Sequence, residues 1–228
     1  MKAHGQRVGG GLGALLVLVA VVSGCGQGDP GDAALPAGDP SATAEVTDEA
    51  AEQDPHAQHG HDGLPATAGP GYTVDDVRFM QMMIAHHDQA LRMARMTSEQ
   101  GAGLEVSQFS ERIDISQQDE IRFMERWLDE RDQAIPGEDE RHAMRMPGMV
   151  SPEDFQRLGE ARGPEFDRLF LNLMIEHHVG ALEMVDELFA SPGAAQDSEL
   201  FQFATDVGAD QMDEIGIMER LIDRLQPA

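Results

Sequence analysis

The chain has almost no cysteine and almost no lysine. Cys25 is its single cysteine and Lys2 its single lysine. One thiol cannot form an intrachain disulfide or a metal site made of several thiolates. A chain that loses its first residues on export also lacks the lysine amine that Schiff-base chemistry uses. Basic residues are scarce as well, since 16 stand against 42 acidic ones for a formal net charge of −26. This balance argues against nucleic acid as a partner.

Residues 1–24 have the composition of a secretory signal. A basic start with Lys2 and Arg7 precedes an apolar run over 11–22, which is too short for a good membrane span. The run is followed by Val-Ser-Gly-Cys, which resembles a bacterial lipobox whose cysteine is lipidated and becomes the mature N-terminus. We therefore expect Cys25 to anchor the protein on the outer, extracytoplasmic face of the cell membrane. The alternative is a plain signal peptide with a leftover cysteine.

Residues 25–72 predict a disordered acidic tether. They are rich in Gly, Pro, Ala and Asp and hold almost no core-forming residues, so their removal is expected to leave the folded domain nearly unchanged. The tether carries His56, His59 and His61, a short tract of the kind that binds divalent copper, nickel or zinc loosely. A chance cluster of histidines in a linker is the alternative.

One stretch of sequence occurs twice, over residues 79–93 and 170–184, at an offset of 91. Both copies have apolar residues at the 4-3-4-3 spacing of one helix face. Each copy also has two adjacent histidines at positions where that spacing calls for an inward-facing apolar side chain. These four histidines are His86, His87, His177 and His178.

The pattern of caps and breakers predicts four long helices. Thr73 and Asp76 form a candidate capping pair for the first helix, and glycines follow its end. The helices are predicted at about 73–100, 104–133, 165–190 and 198–225, with a connector at 134–150 and a short helix from Ser151 to about 161. The second and fourth helices also resemble each other. The prediction is an all-α four-helix bundle over residues 73–228, built from a duplicated helical hairpin.

Antiparallel helices that share a short turn bring Gln117 and Glu120 level with the first histidine pair, and Gln211 and Glu214 level with the second. Two arrangements would provide partners for the polar atoms of such a buried layer. One is a structural hydrogen-bonded layer that fixes the helix register. The other is a metal site with the histidines as main ligands and the two glutamates as partners that orient the imidazoles. Nearby methionines are softer candidate ligands or plain core residues: Met83, Met93, Met174 and Met184.

The donor types decide which metal is expected. Imidazole suits copper, zinc, nickel and iron, whereas thioether selects copper, particularly Cu(I), so zinc is less favoured. Di-iron bundles carry Glu-x-x-His motifs, and that pattern is absent here, which makes iron less favoured too. The residues three positions before the paired histidines are Met83, Ile84, Met174 and Ile175. The connector adds Met144, Met146 and Met149, which form either an exposed thioether patch or, as we favour, a flap packed on the bundle.

These motifs resemble a known family. Residues 83–90 read Met-Ile-Ala-His-His-Asp-Gln-Ala, residues 117–128 read Gln-Gln-Asp-Glu-Ile-x-x-Met-x-x-Trp-Leu, and Met-Ile-x-His-His recurs at 174–178. Together they are similar to the extracytoplasmic family called domain of unknown function 305, over about residues 73–225. The resemblance implies a ferritin-like four-helix fold, copper binding or copper tolerance in some members, and no established enzyme activity.

The sequence thus predicts a lipid-anchored, extracytoplasmic metal-binding protein that acts in metal buffering, sequestration or tolerance. Copper is the metal that it favours most. A non-metal interaction module with a structural histidine layer is the alternative, and a metal-dependent oxidase is a third reading. No catalytic residue is identified, and a homo-oligomer is left open.

The lipid anchor can be tested directly. We expect Cys25→Ala to abolish membrane retention, because Cys25 is the one anchor that the sequence offers. The measurement is fractionation of cells expressing each form. A variant that stayed in the membrane fraction would contradict the lipobox assignment.

Overall fold

The structure of the chain is a computed structural model that describes residues 64–225. This part of the chain is helical, without a strand apart from an isolated bridge between Gly69 and Tyr72. Its helices are α1 (Val74–Gln100), α2 (Leu104–Asp129), α3 (Glu138–Ala143), α4 (Pro152–Glu160), α5 (Gly163–Ala190) and α6 (Ser198–Leu225). The predicted all-α class is confirmed. No described helix is both long and apolar enough to cross a membrane.

The helix ends form for the local reasons that the sequence indicates. The Thr73 hydroxyl accepts from the backbone N–H of Asp76, whose carboxylate accepts from the backbone of Thr73, so α1 begins with a capping box. Gly101 ends α1 in the left-handed region with φ 67°. Ser151 caps α4, and a proline occupies the first turn of that helix.

The four long helices form two hairpins, α1–α2 and α5–α6, which pack on each other through α1 and α5. Buried side chains group into two hydrophobic clusters, and each cluster includes residues of all four long helices, as a four-helix bundle requires. The first cluster contains Trp127, and the second contains Phe109 and Phe170. Along α2, α5 and α6, the residues of one cluster are separated from those of the other by the predicted polar layer, and on α1 only Leu91 departs from this division.

The repeat also explains how the hairpins hold each other. Asp76 and Asp167 are equivalent positions, 91 residues apart. Asp76 accepts a hydrogen bond of 2.7 Å from the backbone N–H of Ala195, in the α5–α6 turn. Asp167 accepts from the backbone N–H of Gly103, in the α1–α2 turn, at 3.1 Å. The first helix of each hairpin therefore fixes the turn of the other hairpin, and the two copies pack with approximate twofold symmetry.

Two predicted boundaries need correction. Helix α2 ends at Asp129 rather than near 133, because Asp132 adopts a positive φ of 52° and the N–H of Gln133 bonds back to Leu128. The connector is also partly helical, since it contains α3. Helix α3 is short, begins with acidic residues and buries no side chain. The sequence therefore has no apolar periodicity there that would predict a helix.

The predicted tether reaches too far along the chain. Most of it, with Cys25 and the histidine tract, lies outside the described residues, but residues 64–72 pack against the helical domain. The ring of Tyr72 contacts Trp127 edge-on with centroids 5.6 Å apart. The buried amide of Gln81 donates to the carbonyl of Pro65 at 3.2 Å. The folded part thus begins before residue 73.

This contact predicts a difference between two truncations. A chain that begins at Leu64 should melt like the full chain, whereas one that begins at Thr73 should lose about 2–4 kcal/mol of unfolding free energy, because the Trp127 contact and a hydrogen bond of Gln81 are removed. Chemical denaturation of both chains measures the difference. Equal stabilities would show that residues 64–72 contribute nothing to the domain.

Candidate metal centre

All four predicted histidines meet in the middle of the bundle. The rings of His86 on α1 and His177 on α5 are in contact in a tilted arrangement, with centroids 3.8 Å apart and planes inclined by 35°. The second histidine of each pair lies 6.5 Å and 6.2 Å from the first, with the same 55° inclination in both copies. No ring is more than 1% exposed. The structure therefore brings together two histidine pairs that are 91 residues apart in the chain.

One histidine of each pair is held by a glutamate. His87 Nε2 lies 2.6 Å from Glu120 Oε2, and His178 Nε2 lies 2.7 Å from Glu214 Oε2. With a carboxylate as acceptor, Nε2 carries the hydrogen, which leaves a lone pair on Nδ1. Each glutamate thus contacts one imidazole at the level of the bundle where the sequence placed it, and the role of both as partners of metal ligands stays a prediction. Spacing alone did not indicate which histidine of each pair they would contact.

The other histidine of each pair has a different environment. His86 Nε2 lies 3.1 Å from the carbonyl oxygen of Pro147, which can only accept, so His86 also carries its hydrogen on Nε2. Neither ring nitrogen of His177 makes a hydrogen bond of good geometry within the described residues, although the backbone of His86 lies near enough to raise the pKa of His177 as the weakest influence on it. The two copies of the repeat are therefore not equivalent at this position.

Most unpaired buried polar atoms of the described chain belong to this layer. They are His86 Nδ1, His87 Nδ1, both nitrogens of His177, His178 Nδ1, both amide atoms of Gln117, and Gln211 Oε1. An unpaired buried polar atom typically costs about 1–3 kcal/mol. A layer that existed to be hydrogen-bonded would pair these atoms, so their number favours a ligand that accepts imidazole lone pairs.

Burial also sets the charge of the layer. The pKa of His86 is lowered to about 3, chiefly by desolvation and then by the neighbouring His87. The pKa of His177 lies well below its usual value, again chiefly because of burial and then because of His86. Both imidazoles are neutral at physiological pH, so neither has to release a proton before it coordinates a metal.

The four predicted methionines are buried on either side of the histidine layer. Met83 and Met184 belong to the first hydrophobic cluster, and Met93 and Met174 belong to the second. None is more than 2% exposed. Of these four methionines, each cluster contains one from each copy of the repeat, in keeping with the twofold arrangement. All four are core side chains, and their role as ligands stays a prediction.

Within residues 64–225, no three His, Cys, Asp or Glu side chains form a complete coordination set. The buried donors are imidazole nitrogens with thioether sulfurs nearby, and this combination fits a soft ion such as Cu(I) better than zinc or iron.

The outer side of the layer is acidic. Asp210 on α6 has a raised pKa, first because it is partly buried and then because Glu120, Glu214, Asp206 and Asp213 surround it with negative charge. Carboxylates from both hairpins therefore converge outside His87 and His178. Such a surface raises the local concentration of cations.

The connector contributes contacts that the sequence did not predict. The side chain of Gln89 on α1 donates to the carbonyl of Val150 at 3.0 Å and accepts from its N–H at 2.7 Å. Pro147 supplies the acceptor for His86. The repeat did contain a sign of these contacts. Gln89 in the first copy corresponds to Gly180 in the second, and this difference in side chain indicates that the two positions have different neighbours.

Comparison with known proteins identifies the family. The family model called domain of unknown function (DUF305) matches residues 76–222. The chain belongs to the DUF305 family. No protein with a curated functional description matches this DUF305 chain in sequence.

Solved structures resemble the chain over most of its described part. A DUF305 protein from Streptomyces coelicolor is 25% identical, with 66% of this chain and 93% of that chain covered and a TM-score of 0.59. A DUF305 fragment from Deinococcus radiodurans is 29% identical, with 70% and 99% covered and a TM-score of 0.60. CopM in a Cu(I)-bound form is 25% identical, with 67% and 98% covered and a TM-score of 0.54. CopM has also been solved in a Cu(II)-bound form.

The lowered histidine pKa values predict how the metal-free domain responds to acid. Below pH 6.5 the unfolded chain protonates His86 and His177 while the folded chain does not, so stability is lost as the pH falls below about 6.5, and the loss that His86 causes continues down to about pH 3. Each histidine should contribute about 1 kcal/mol per pH unit in this window.

Urea denaturation of the metal-free protein between pH 7 and pH 4.5 measures this dependence. A double variant with His86→Gln and His177→Gln should lose less stability per pH unit than the unaltered chain. The same dependence in both proteins would show that these two histidines are not held neutral by the fold.

Proposed function

We propose that this DUF305 protein binds copper in its buried histidine layer and buffers or sequesters the ion outside the cytoplasm. The observation that carries the proposal is a set of four imidazoles whose Nδ1 atoms have no hydrogen-bond partner within the described residues. Nε2 is engaged by an acceptor in His86, His87 and His178, so Nδ1 is the free donor atom in these three rings. A bound metal ion would satisfy lone pairs that the protein leaves unpaired.

The surroundings of the layer favour copper. Buried methionines flank it on both sides, and thioethers prefer Cu(I) to zinc or to the hard divalent ions. The similarity to CopM, a protein solved in Cu(I)-bound and Cu(II)-bound forms, supports the same assignment. Zinc and iron are poorer fits to this donor set.

Roles follow from the contacts. The proposed main ligands are the four histidines, and Met83, Met93, Met174 and Met184 are the proposed softer donors. Glu120 and Glu214 hold the rings of His87 and His178 by accepting from Nε2, which also makes Nδ1 a better donor. Their negative charge offsets part of the charge of a bound cation.

The structural-layer alternative has less support. If the layer served only to fix helix register, the polar atoms that it buries would be paired with one another. Instead, both nitrogens of His177 and both amide atoms of Gln117 lack partners in the described chain. No arrangement among the described residues favours the oxidase reading.

The proposed location rests on the sequence. A lipidated Cys25 would hold the domain at the outer face of the membrane, and the residues up to 63 would separate the domain from the lipid surface. There the acidic side of α6 would face metal ions that enter from outside the cell.

Copper-dependent melting tests the site. Copper should stabilise the unaltered chain by about 2.7 kcal/mol at a hundredfold excess over its dissociation constant, because it binds the folded state preferentially. The His86→Gln, His177→Gln double variant should fold but should show little of this stabilisation. Zinc should stabilise less than Cu(I) if thioethers are ligands.

The matched control replaces His56, His59 and His61 by alanine, which removes the predicted loose site and leaves the layer intact. This variant should keep the copper-dependent shift. Equal shifts in the unaltered chain and the double variant, or no shift in either, would reject the histidine layer as the copper site.

A further inference from the structure

Residues 144–150, which join α3 to α4, cross the bundle over the histidine layer, and we call them the strap. The carbonyl of Pro147 accepts from His86 Nε2 at 3.1 Å, while His86 itself is fully buried. The strap therefore contacts the histidine layer at His86, which neither Glu120 nor Glu214 contacts.

The strap lies with its backbone directly against α5. A Cβ atom on Gly180 would lie 2.1 Å from the carbonyl oxygen of Pro147, a distance that real Cβ atoms do not show. On the strap side, Gly148 has a φ of 74°, and its own Cβ would lie 2.7 Å from the carbonyl of Glu176. Gly180 follows His177 by about one helical turn, so this close approach occurs beside the ring of His177.

The two copies of the repeat have diverged at the position that contacts the strap. Gln89 clamps Val150 through two hydrogen bonds, and the equivalent residue Gly180 makes room for Pro147 and Gly148. The strap occurs once while the histidine pairs occur twice, so it cannot contact both copies in the same way. In the first copy the side chain of Gln89 forms hydrogen bonds with the strap. In the second copy Gly180 has no side chain, which leaves room for the strap backbone.

Few interactions hold the strap closed. Val150 is its single buried residue, and Arg145 and Pro147 are exposed. Its hydrogen bonds to the layer and to α1 are the one to His86 and the two to Gln89. A segment with so little buried surface opens at a lower free energy than the helices that it covers.

We infer that the strap is a releasable cover whose opening sets the rate at which copper exchanges with the histidine layer. This inference rests on the proposed copper site. Closed, the strap excludes water and holds His86 with its hydrogen on Nε2, so that Nδ1 stays available. Met144, Met146 and Met149 are partly buried on the strap, and Met146 packs against the cluster that contains Met83, which puts thioethers on the cover itself.

Two variants loosen the strap without changing a proposed ligand. Gly180→Ala forces the backbone of Pro147 away, and Gln89→Ala removes both bonds to Val150. Gly208→Ala is the matched control, because Gly208 is also a buried glycine within a long helix, and its Cβ would meet only Val185 at an ordinary 3.7 Å.

Two measurements on the full chain test the inference. Hydrogen exchange of the metal-free protein should become faster over residues 144–150 in both strap variants and stay unchanged in the control. Release of Cu(I) to an excess of chelator should become roughly tenfold faster or more in both strap variants, because each loses interactions that hold the cover closed. The control should release Cu(I) at the rate of the unaltered chain.

The outcomes separate the two proposals. If the unaltered chain does not bind Cu(I), the proposed function fails and the inference fails with it. If all four proteins bind Cu(I) and release it at one rate although exchange over 144–150 has increased, the cover does not control release and only the inference is overturned. Unchanged exchange in both variants would also overturn it, since the strap would then not be held by these contacts.

Discussion

The contact between His86 and His177, at the centre of the buried histidine layer, is the interaction around which the candidate site is arranged. It lies where α1 crosses α5, and those two helices carry the packing of one hairpin on the other. The rings of His86 and His177 can lie this close together because both are neutral, and they are neutral because burial lowers the pKa of each. Two charged imidazoles at this separation would repel each other in a medium of low dielectric constant.

Methionine and carboxylate side chains are arranged on different sides of the histidine layer. Methionine-containing clusters lie on both sides along the bundle axis, while Glu120 and Glu214 approach from α2 and α6. The remaining side is covered by the strap. Approximate twofold symmetry therefore describes the ligand candidates, and the strap is the element that breaks it.

Much of this arrangement could be predicted from the repeat. A fixed offset of 91 residues, together with helical spacing, indicated the long helices, the inward direction of the histidines and the approach of both glutamates. The contacts of Asp76 and Asp167 with the turns could not be predicted, because they depend on how the hairpins pack. A connector packed on the bundle was predicted from its methionines, and Met146 does pack against the core. The close contact of this strap with Gly180 could not be predicted, because it joins backbone atoms, which leave no periodic pattern. The packing of Tyr72 was missed because the segment before it has the composition of a linker.

The central claim is that copper binds to the buried rings through the nitrogen atoms that the protein leaves unpaired. Nitrogen NMR of the histidine side chains in the full chain, before and after one equivalent of Cu(I), tests it most directly. The account predicts large shifts at Nδ1 of His86, His87 and His178, with Nε2 of each ring still protonated against Pro147, Glu120 and Glu214. Shifts confined to His56, His59 and His61, with the four buried rings unaffected, would contradict it.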